Sequence, residues 1–452
     1  MKAKVLPLIG ILSIFFLVLP SFVFASDAAI LERLQKMENE INRLKSENAQ
    51  LRNMLENDKK DLEAENASLK EMVQTDRREI EEIKKSAGKL SSKGLRTVLG
   101  KYDMELYGRV KVDINYDFAD FDNNDWVRAV GVGGENDSTN FNPRDTRFGL
   151  KVRRRDDQWL SEARIETDFY GSTQGNNLDL RMRLAYVKIT NDDWKASLTI
   201  GQDYVPIARL MAPTIDFGFM CNAGNLWWRV PQITLRKNVG NFEFLVGAMR
   251  HRRRATNEGA RPWALGRIAY TNGFLGKGGL LAIGGGFVNG EVTNNFGRDN
   301  DVDKWLLALE LKLKFGKFTF QMEPWIGEGI DSEFLRYDMG INPRHNRIQD
   351  LNRRPDTIRS RGGFVSLAYK ATPRLSFAMA YGIDDPDGDD MEGMKGTLNG
   401  HMFTRNEMFL INTWYSVTSA VKMGFEIMYV ETERFSSIDN GVRTTFSTIY
   451  SF

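Results

Sequence analysis

The 452-residue chain carries 62 Lys and Arg against 60 Asp and Glu, a net charge of +2 that gives no reason to expect nucleic-acid binding. Mean hydropathy is −0.40, and beyond residue 25 no apolar run approaches the roughly 18 residues of a spanning helix, so any membrane residence must be through strands. The lone Cys221 excludes an intrachain disulfide, and three histidines leave that thiol without an evident base, so no catalytic residue, cofactor or metal is expected.

Residues 1–25 read as a signal peptide. Lys2 and Lys4 form the basic start, Leu6 to Val18 the apolar run, and Val23-Phe24-Ala25 the small-residue exit. Polar sequence begins at Ser26, which favours cleavage over anchoring, and no cysteine follows to take a lipid. From 26 to 86 the texture is that of a coiled coil, without Gly or Pro between Ile30 and Ile83. Ile30, Leu34, Met37, Ile41, Leu44, Leu51, Leu55, Leu62 and Leu69 recur at alternating steps of three and four, a heptad seam. Asn48 falls on a core position, where its amide needs a partner from another helix and fixes register. Asp58 and Glu65 weaken the seam, and the step from Leu69 to Val73 is a stutter. The seam does not set the number of helices. Residues 87–103, with Gly88, Gly94 and Gly100, read as a basic flexible linker.

From 104 to 452 the period changes to two. Leu106, Gly108, Val110, Val112, Ile114, Tyr116 and Phe118 alternate with Tyr107, Arg109, Lys111, Asp113, Asn115 and Asp117. Sixteen such segments run from 104–118 to 441–452; Gly266, Gly284 to Gly286 and mixed faces blur those at 263–271, 280–289 and 405–416. Short turns alternate with long connections at 119–143, 171–178, 204–228, 251–262, 290–303, 327–361, 383–404 and 431–440. This is the rhythm of an up-and-down barrel with one tight and one elaborated rim. The fold expected is therefore an all-β transmembrane barrel of about 16 antiparallel strands, preceded by an α-helical coiled coil. An even count leaves both chain ends of the barrel on the short-turn, periplasmic side.

In such a barrel the apolar face meets lipid and the charged face lines a water-filled lumen. The expected lining is Arg109, Lys111, Asp113, Arg147, Lys151, Arg164, Glu166, Asp168, Arg181 and Arg183. Arginines on a low-dielectric wall concentrate anions, and their planar fork fits carboxylates. The same charges could instead pair with one another and only hydrate the lumen. The third long connection, with Asp203 at its start and Arg209 and Asp216 within it, is expected to fold inward as a constriction, as in general porins. Arg252-Arg253-Arg254 faces the lipopolysaccharide side or a vestibule, and loop 327–361 reads as a self-paired lid. The chain ends on Tyr450, Ser451 and Phe452, which resembles the last strand of Gram-negative outer-membrane barrels, whose final Phe is recognised by the barrel-assembly machinery.

The resemblance extends to a family. The seam from Ile30, Leu-Tyr-Gly-Arg-Val-Lys-Val-Asp at 106–113 and Arg-Asp-Thr-Arg-Phe-Gly-Leu-Lys at 144–151 resemble DcaP-type trimeric porins. So do Glu-Thr-Asp-Phe-Tyr-Gly at 166–171, Arg-Met-Arg-Leu-Ala-Tyr-Val at 181–187 and Gly-Gln-Asp-Tyr at 201–204. The resemblance implies a homotrimer in the outer membrane with a periplasmic coiled coil, possessing no catalytic residues and passing small anionic solutes such as dicarboxylates by diffusion. The coiled coil would hold protomers together and reach toward peptidoglycan. Two rivals are a tether whose barrel is only an anchor, and a lipid hydrolase, which needs a His beside a Ser on the membrane-facing wall; His251, His345 and His401 all fall in loops.

Overall fold

The computed structural model describes residues 27–86, 95–99, 101–133, 136–171, 178–252, 261–293, 299–335, 340–342, 356–391 and 403–452. The expected signal peptide, Arg253, Arg254, His345, His401 and most arginines of loop 327–361 lie outside these. Residues 1–88 and 89–452 form two compact units.

The first unit holds one helix, α1 (Asp27–Ser86). Its residues are strong helix formers, so the backbone is settled locally. Leu34, Met37, Ile41, Leu44, Leu51, Leu55 and Leu62 are all exposed, so the seam is uncovered within one chain. Asn48 is exposed on the same helix.

The second unit is a barrel. In chain order its strands are β1 (Leu95–Leu99), β2 (Tyr102–Asp117), β3 (Ser138–Asn142), β4 (Arg147–Asp156), β5 (Trp159–Asp168), β6 (Arg181–Asn191) and β7 (Ala196–Tyr204). They continue with β8 (Arg229–Val239), β9 (Phe242–Met249), β10 (Trp263–Tyr270), β11 (Leu280–Thr293), β12 (Asp299–Phe315) and β13 (Phe318–Glu328). The last are β14 (Ile341–Asn342), β15 (Asp356–Thr357), β16 (Arg359–Lys370), β17 (Leu375–Pro386), β18 (Arg405–Ser416), β19 (Val421–Glu433) and β20 (Ile438–Ser451). Leaving aside β1, β3 and the separate β14–β15 pair, sixteen antiparallel strands form the wall. It closes where β20 pairs with β2, from Arg109↔Ser451 to Asp117↔Arg443.

Each expected strand is present, including the three blurred ones, now β10, β11 and β18. Three features differ from expectation. Within the stretch read as linker, β1 pairs with the foot of β2, from Leu95↔Leu106 to Leu99↔Tyr102. The second wall strand is longer than its alternation indicated, because β3 continues it beyond an interruption at 143–146 and pairs with the upper part of β2. The last long connection shrinks to a turn at 434–437, since β19 and β20 run on to Glu433↔Ile438.

The chain end completes the closure. Gly108 N–H donates to the Phe452 carbonyl at 3.0 Å and Phe452 N–H to Gly108 at 3.1 Å. A side chain on Gly108 would put its Cβ 2.6 Å from the Phe452 ring, so only glycine seats that ring here.

Period two sorts the faces as expected on the outside. Val110, Val112, Ile114, Tyr116, Phe425, Ile427, Phe446 and Tyr450 are exposed, while Lys111, Asp113, Asn115, Arg443, Thr445 and Ser447 point inward and are buried. Their burial comes from loops. Residues 118–131 of L1 (118–137) and L3 (205–228) enter the barrel, and α2 (Asp331–Phe334) in L6 (329–358) packs with Trp263 and Ile330. The hydrophobic core therefore sits inside the barrel, between these loops and half of its wall.

Candidate channel lining and constriction

L3 leaves β7 at Tyr204 and returns at Arg229, residues that pair across the two strands. Val205 N–H donates to the Trp228 carbonyl at 2.9 Å, closing its neck. Between these points the loop follows the inner wall from β11 around to β20, as its apolar content requires: Val205, Ile207, Leu210, Met220, Ala223 and Leu226 bury against Val288, Leu306, Trp325, Phe364, Met408 and Met428.

Polar side chains of the wall hold the loop's backbone. Glu323 Oε2 accepts from Leu210 N at 3.0 Å, and Glu426 accepts from Ile215 N at 2.7 Å and Asp216 N at 3.0 Å. Trp325 donates to the Gly224 carbonyl at 2.7 Å, Asn412 to that of Pro213 at 2.6 Å and Asn406 to that of Asn222 at 2.7 Å. At Gly382 any side chain would run into the Ala223 carbonyl, so the wall there must be bare for the loop to approach.

The expectation of an inward third loop thus corresponds to the observed path of L3, but its charges have a different place. Asp216 is buried, accepting from Arg443 at 3.2 Å and from the Val127 N–H of L1 at 3.2 Å, so it clamps two loops and the wall together. Asp203 belongs to β7, and its Oδ1 accepts from Tyr204 N at 2.8 Å. Arg209 alone of the three is exposed, 3.7 Å from Glu243. Lys111 and Asp113 are likewise covered: Lys111 lies 2.9 Å from Asp113 and donates to the Ile215 carbonyl of L3 at 2.7 Å.

The remaining expected residues form a ladder on β2, β4, β5 and β6. Asp145, in the interruption between β3 and β4, takes Arg109, Lys111 at 3.2 Å and Arg147 at 2.7 Å. Arg164 donates to the Tyr107 hydroxyl at 2.6 Å and to Glu166 at 2.9 Å. Arg183 reaches Glu166 at 2.8 Å, Asp168 at 2.6 Å and the Tyr204 hydroxyl at 2.9 Å. Arg181 grips Asp168 through two bonds of 3.0 and 2.7 Å. Lys151 stands lower, 3.3 Å from Glu105 and over the Tyr107 ring. Arg109, Arg147, Arg164 and Arg181 each keep part of their surface open, while Arg183 is fully enclosed.

Sequence reasoning missed several members. Tyr107 and Tyr204 were visible by parity and by position beside the loop. Arg443, which holds Asp117 at 2.5 Å, lies on the inward face of the last strand. Arg229 follows Trp227-Trp228 and is buried at the neck of L3. Aromatic rings line this end: Arg181 lies over Tyr170 and Phe217, Arg229 over Tyr204 and Trp227, and Arg252 over Trp228 at 4.4 Å. Arg252 therefore meets the neck of L3; Arg253 and Arg254 are outside the described residues.

Above the neck, Glu333 of α2 accepts from the Arg252 N–H at 2.9 Å, faces His251 Nδ1 at 2.7 Å and lies 3.6 Å from Lys304. Burial opposes its charge, but the hydrogen bond from His251 and the Lys304 ammonium outweigh it and hold the carboxyl down at about 2.

No protein-family model matches the chain, and no curated protein matches its sequence. Solved structures do. The outer-membrane channel DcaP of Acinetobacter baumannii superposes with a TM-score of 0.67 at 23% identity, over 80% of this chain and 100% of that one. An anion-selective porin from Comamonas acidovorans gives 0.53 at 12% identity over 78% and 100%, and OmpF of Salmonella typhi, in complex with daunomycin, 0.52 at 11% over 79% and 100%. The closed sixteen-stranded wall is thus the fold of these outer-membrane channels and porins.

Proposed function

We propose that the chain is an outer-membrane porin that passes small hydrophilic solutes by diffusion and favours anions such as dicarboxylates. The supporting observation is the charge balance of the ladder wall. Arg109, Arg147, Lys151, Arg164, Arg181, Arg183 and Arg229 face Glu105, Asp145, Glu166, Asp168 and Asp203, two more positive than negative. L3 covers the other half of the wall, so a solute entering the lumen passes the basic half. Low-dielectric walls keep such a field from being screened, and guanidinium forks match carboxylates. One of the porins with the same fold is itself anion-selective.

The barrel would assemble through Phe452, sit among outer-membrane lipid and lipopolysaccharide, and follow cleavage of residues 1–25. The exposed seam of α1 suits a periplasmic coiled coil that joins protomers, as a trimer, and reaches toward peptidoglycan. The same seam supports the second reading, a tether with the barrel as anchor. Planar-bilayer current with a panel of dicarboxylates separates the two, because a tether conducts nothing. Neutralising Arg109, Arg147, Arg164 and Arg183 together is expected to abolish or invert anion preference in reversal potentials; an unchanged preference ends the anion reading.

A further inference from the structure

Among the described residues, the ladder arginines named in the sequence share one property: each has a carboxylate. Arg109 and Arg147 have Asp145, Arg164 has Glu166, Arg181 has Asp168, and Arg183 has both of the latter. A passing ion meets each of these guanidinium groups within a few ångströms of an opposite charge that offsets much of its field, although the five share three carboxylates.

Arg229 is different. It is 7% exposed and, among the described residues, makes no ion pair and has no hydrogen-bond partner for its Nη1. Its guanidinium lies between two ring faces, 5.6 Å from the centre of Tyr204 and 5.1 Å from that of Trp227. Those rings offset part of the cost of burying it, as cation–π contacts do, but supply no opposite unit charge. The charged groups around it are Arg183 and Arg181, with Asp168 already committed to both. Guanidinium does not shed its proton, so the charge stays.

We propose that Arg229, an uncompensated cation at the neck of L3, is the main residue setting charge selectivity in this channel. Resting on the porin reading, it makes a narrower claim: selectivity follows one buried charge and not the number of arginines on the wall. Burial strengthens its reach, because little water stands around it to screen the field. Its contacts with the Tyr204 and Trp227 rings hold it in place, and both rings belong to the neck, where L3 leaves and rejoins the wall.

The test is the chloride-to-potassium permeability ratio from reversal potentials across planar bilayers under a KCl gradient. Arg229→Gln is expected to lower the ratio by roughly threefold, and Arg229→Lys to keep it near the wild-type value. The charge-neutral double variant Arg164→Gln/Glu166→Gln is expected to move it less than Arg229→Gln does. Arg229→Met serves if the Gln variant does not fold: it removes the charge, keeps an unbranched side chain between the rings, and its ratio should likewise lie below wild type. An Arg229→Gln or Arg229→Met ratio equal to wild type, or a larger shift in the double variant, overturns the proposal. A wild-type channel without anion preference would sink the anion reading alone, because the Arg229 shift is measured relative to wild type.

Discussion

The two halves of this barrel wall solve one problem in opposite ways. On β2 and β4 to β8 the inward side chains are arginines with their carboxylates, and the outermost of them stay partly open. On β11 to β19 the inward side chains are Ala308, Trp325, Phe364, Ala380, Leu410 and Val430, sealed beneath L3. Both halves carry acids. On the ladder side Glu166 and Asp168 receive guanidinium groups, whereas on the sealed side Glu323 and Glu426 receive backbone N–H groups of a loop. These inward carboxylates are thus counter-charges to guanidinium groups in one half and anchors of a loop backbone in the other. Period two says which way a residue points; what it meets there depends on where the nearest long loop goes.

The sharpest way to break this contrast is to release L3. Trp325 is buried and holds the Gly224 carbonyl, so Trp325→Ala removes both packing and a bond and is expected to cost about 3–5 kcal/mol. Urea unfolding of the detergent-folded barrel measures it, and single-channel current should become larger and noisier as the loop loosens. Gly382→Val pushes against the Ala223 carbonyl and should cost about 1–3 kcal/mol with the same change in current. On the ladder wall, Arg164→Met should cost no more than about 1 kcal/mol, since the pair it breaks is open to water on one side. Equal losses on the two walls would mean that L3 is not what stabilises its half.

That division was only partly legible in the sequence. Alternation identified all sixteen wall strands because their outward faces are uniformly apolar, even where Gly284 to Gly286 blurred β11. It missed β1, whose Leu-Arg-Thr-Val-Leu is too short to show a period, and β3, cut from β4 by Pro143 to Thr146. It also assigned Lys111, Asp113 and Asp216 to water. Each has the right parity, but the coverage comes from L1 and L3, whose paths depend on contacts far apart in the chain, such as Val127 with Asp216. Arg229 escaped notice because a charge beside Trp227-Trp228 looks like an ordinary strand start until its lack of a carboxylate is seen in space.

A smaller effect is expected where L6 is clamped at Glu333. The folded carboxyl is held near 2, below its unfolded value of roughly 4.3, so its contribution is complete above that value and is lost as pH falls through the lower one. The melting difference between wild type and Glu333→Gln should shrink as the pH falls from about 4 to 2. A difference that grows on acidification would contradict the clamp. Because Phe334 of α2 packs against Trp263 of β10, the effect tests whether the sealed half extends into L6.

The least effect on conduction is expected from α1. Its exposed seam is a large apolar surface whose spacing fits another helix, and Asn48 interrupts it at a core position. A buried amide there lowers the stability of a helical bundle but selects one register, because any shift strands it against leucine. Asn48→Val should therefore raise the temperature at which the oligomer dissociates in detergent and broaden its stoichiometry on crosslinking, while single-channel conductance and the permeability ratio stay at wild-type values. If stoichiometry and dissociation temperature are both unmoved, the seam is not an association surface. Should conductance change instead, association through α1 would reach the pore, and the two walls could no longer be treated as the whole of the channel.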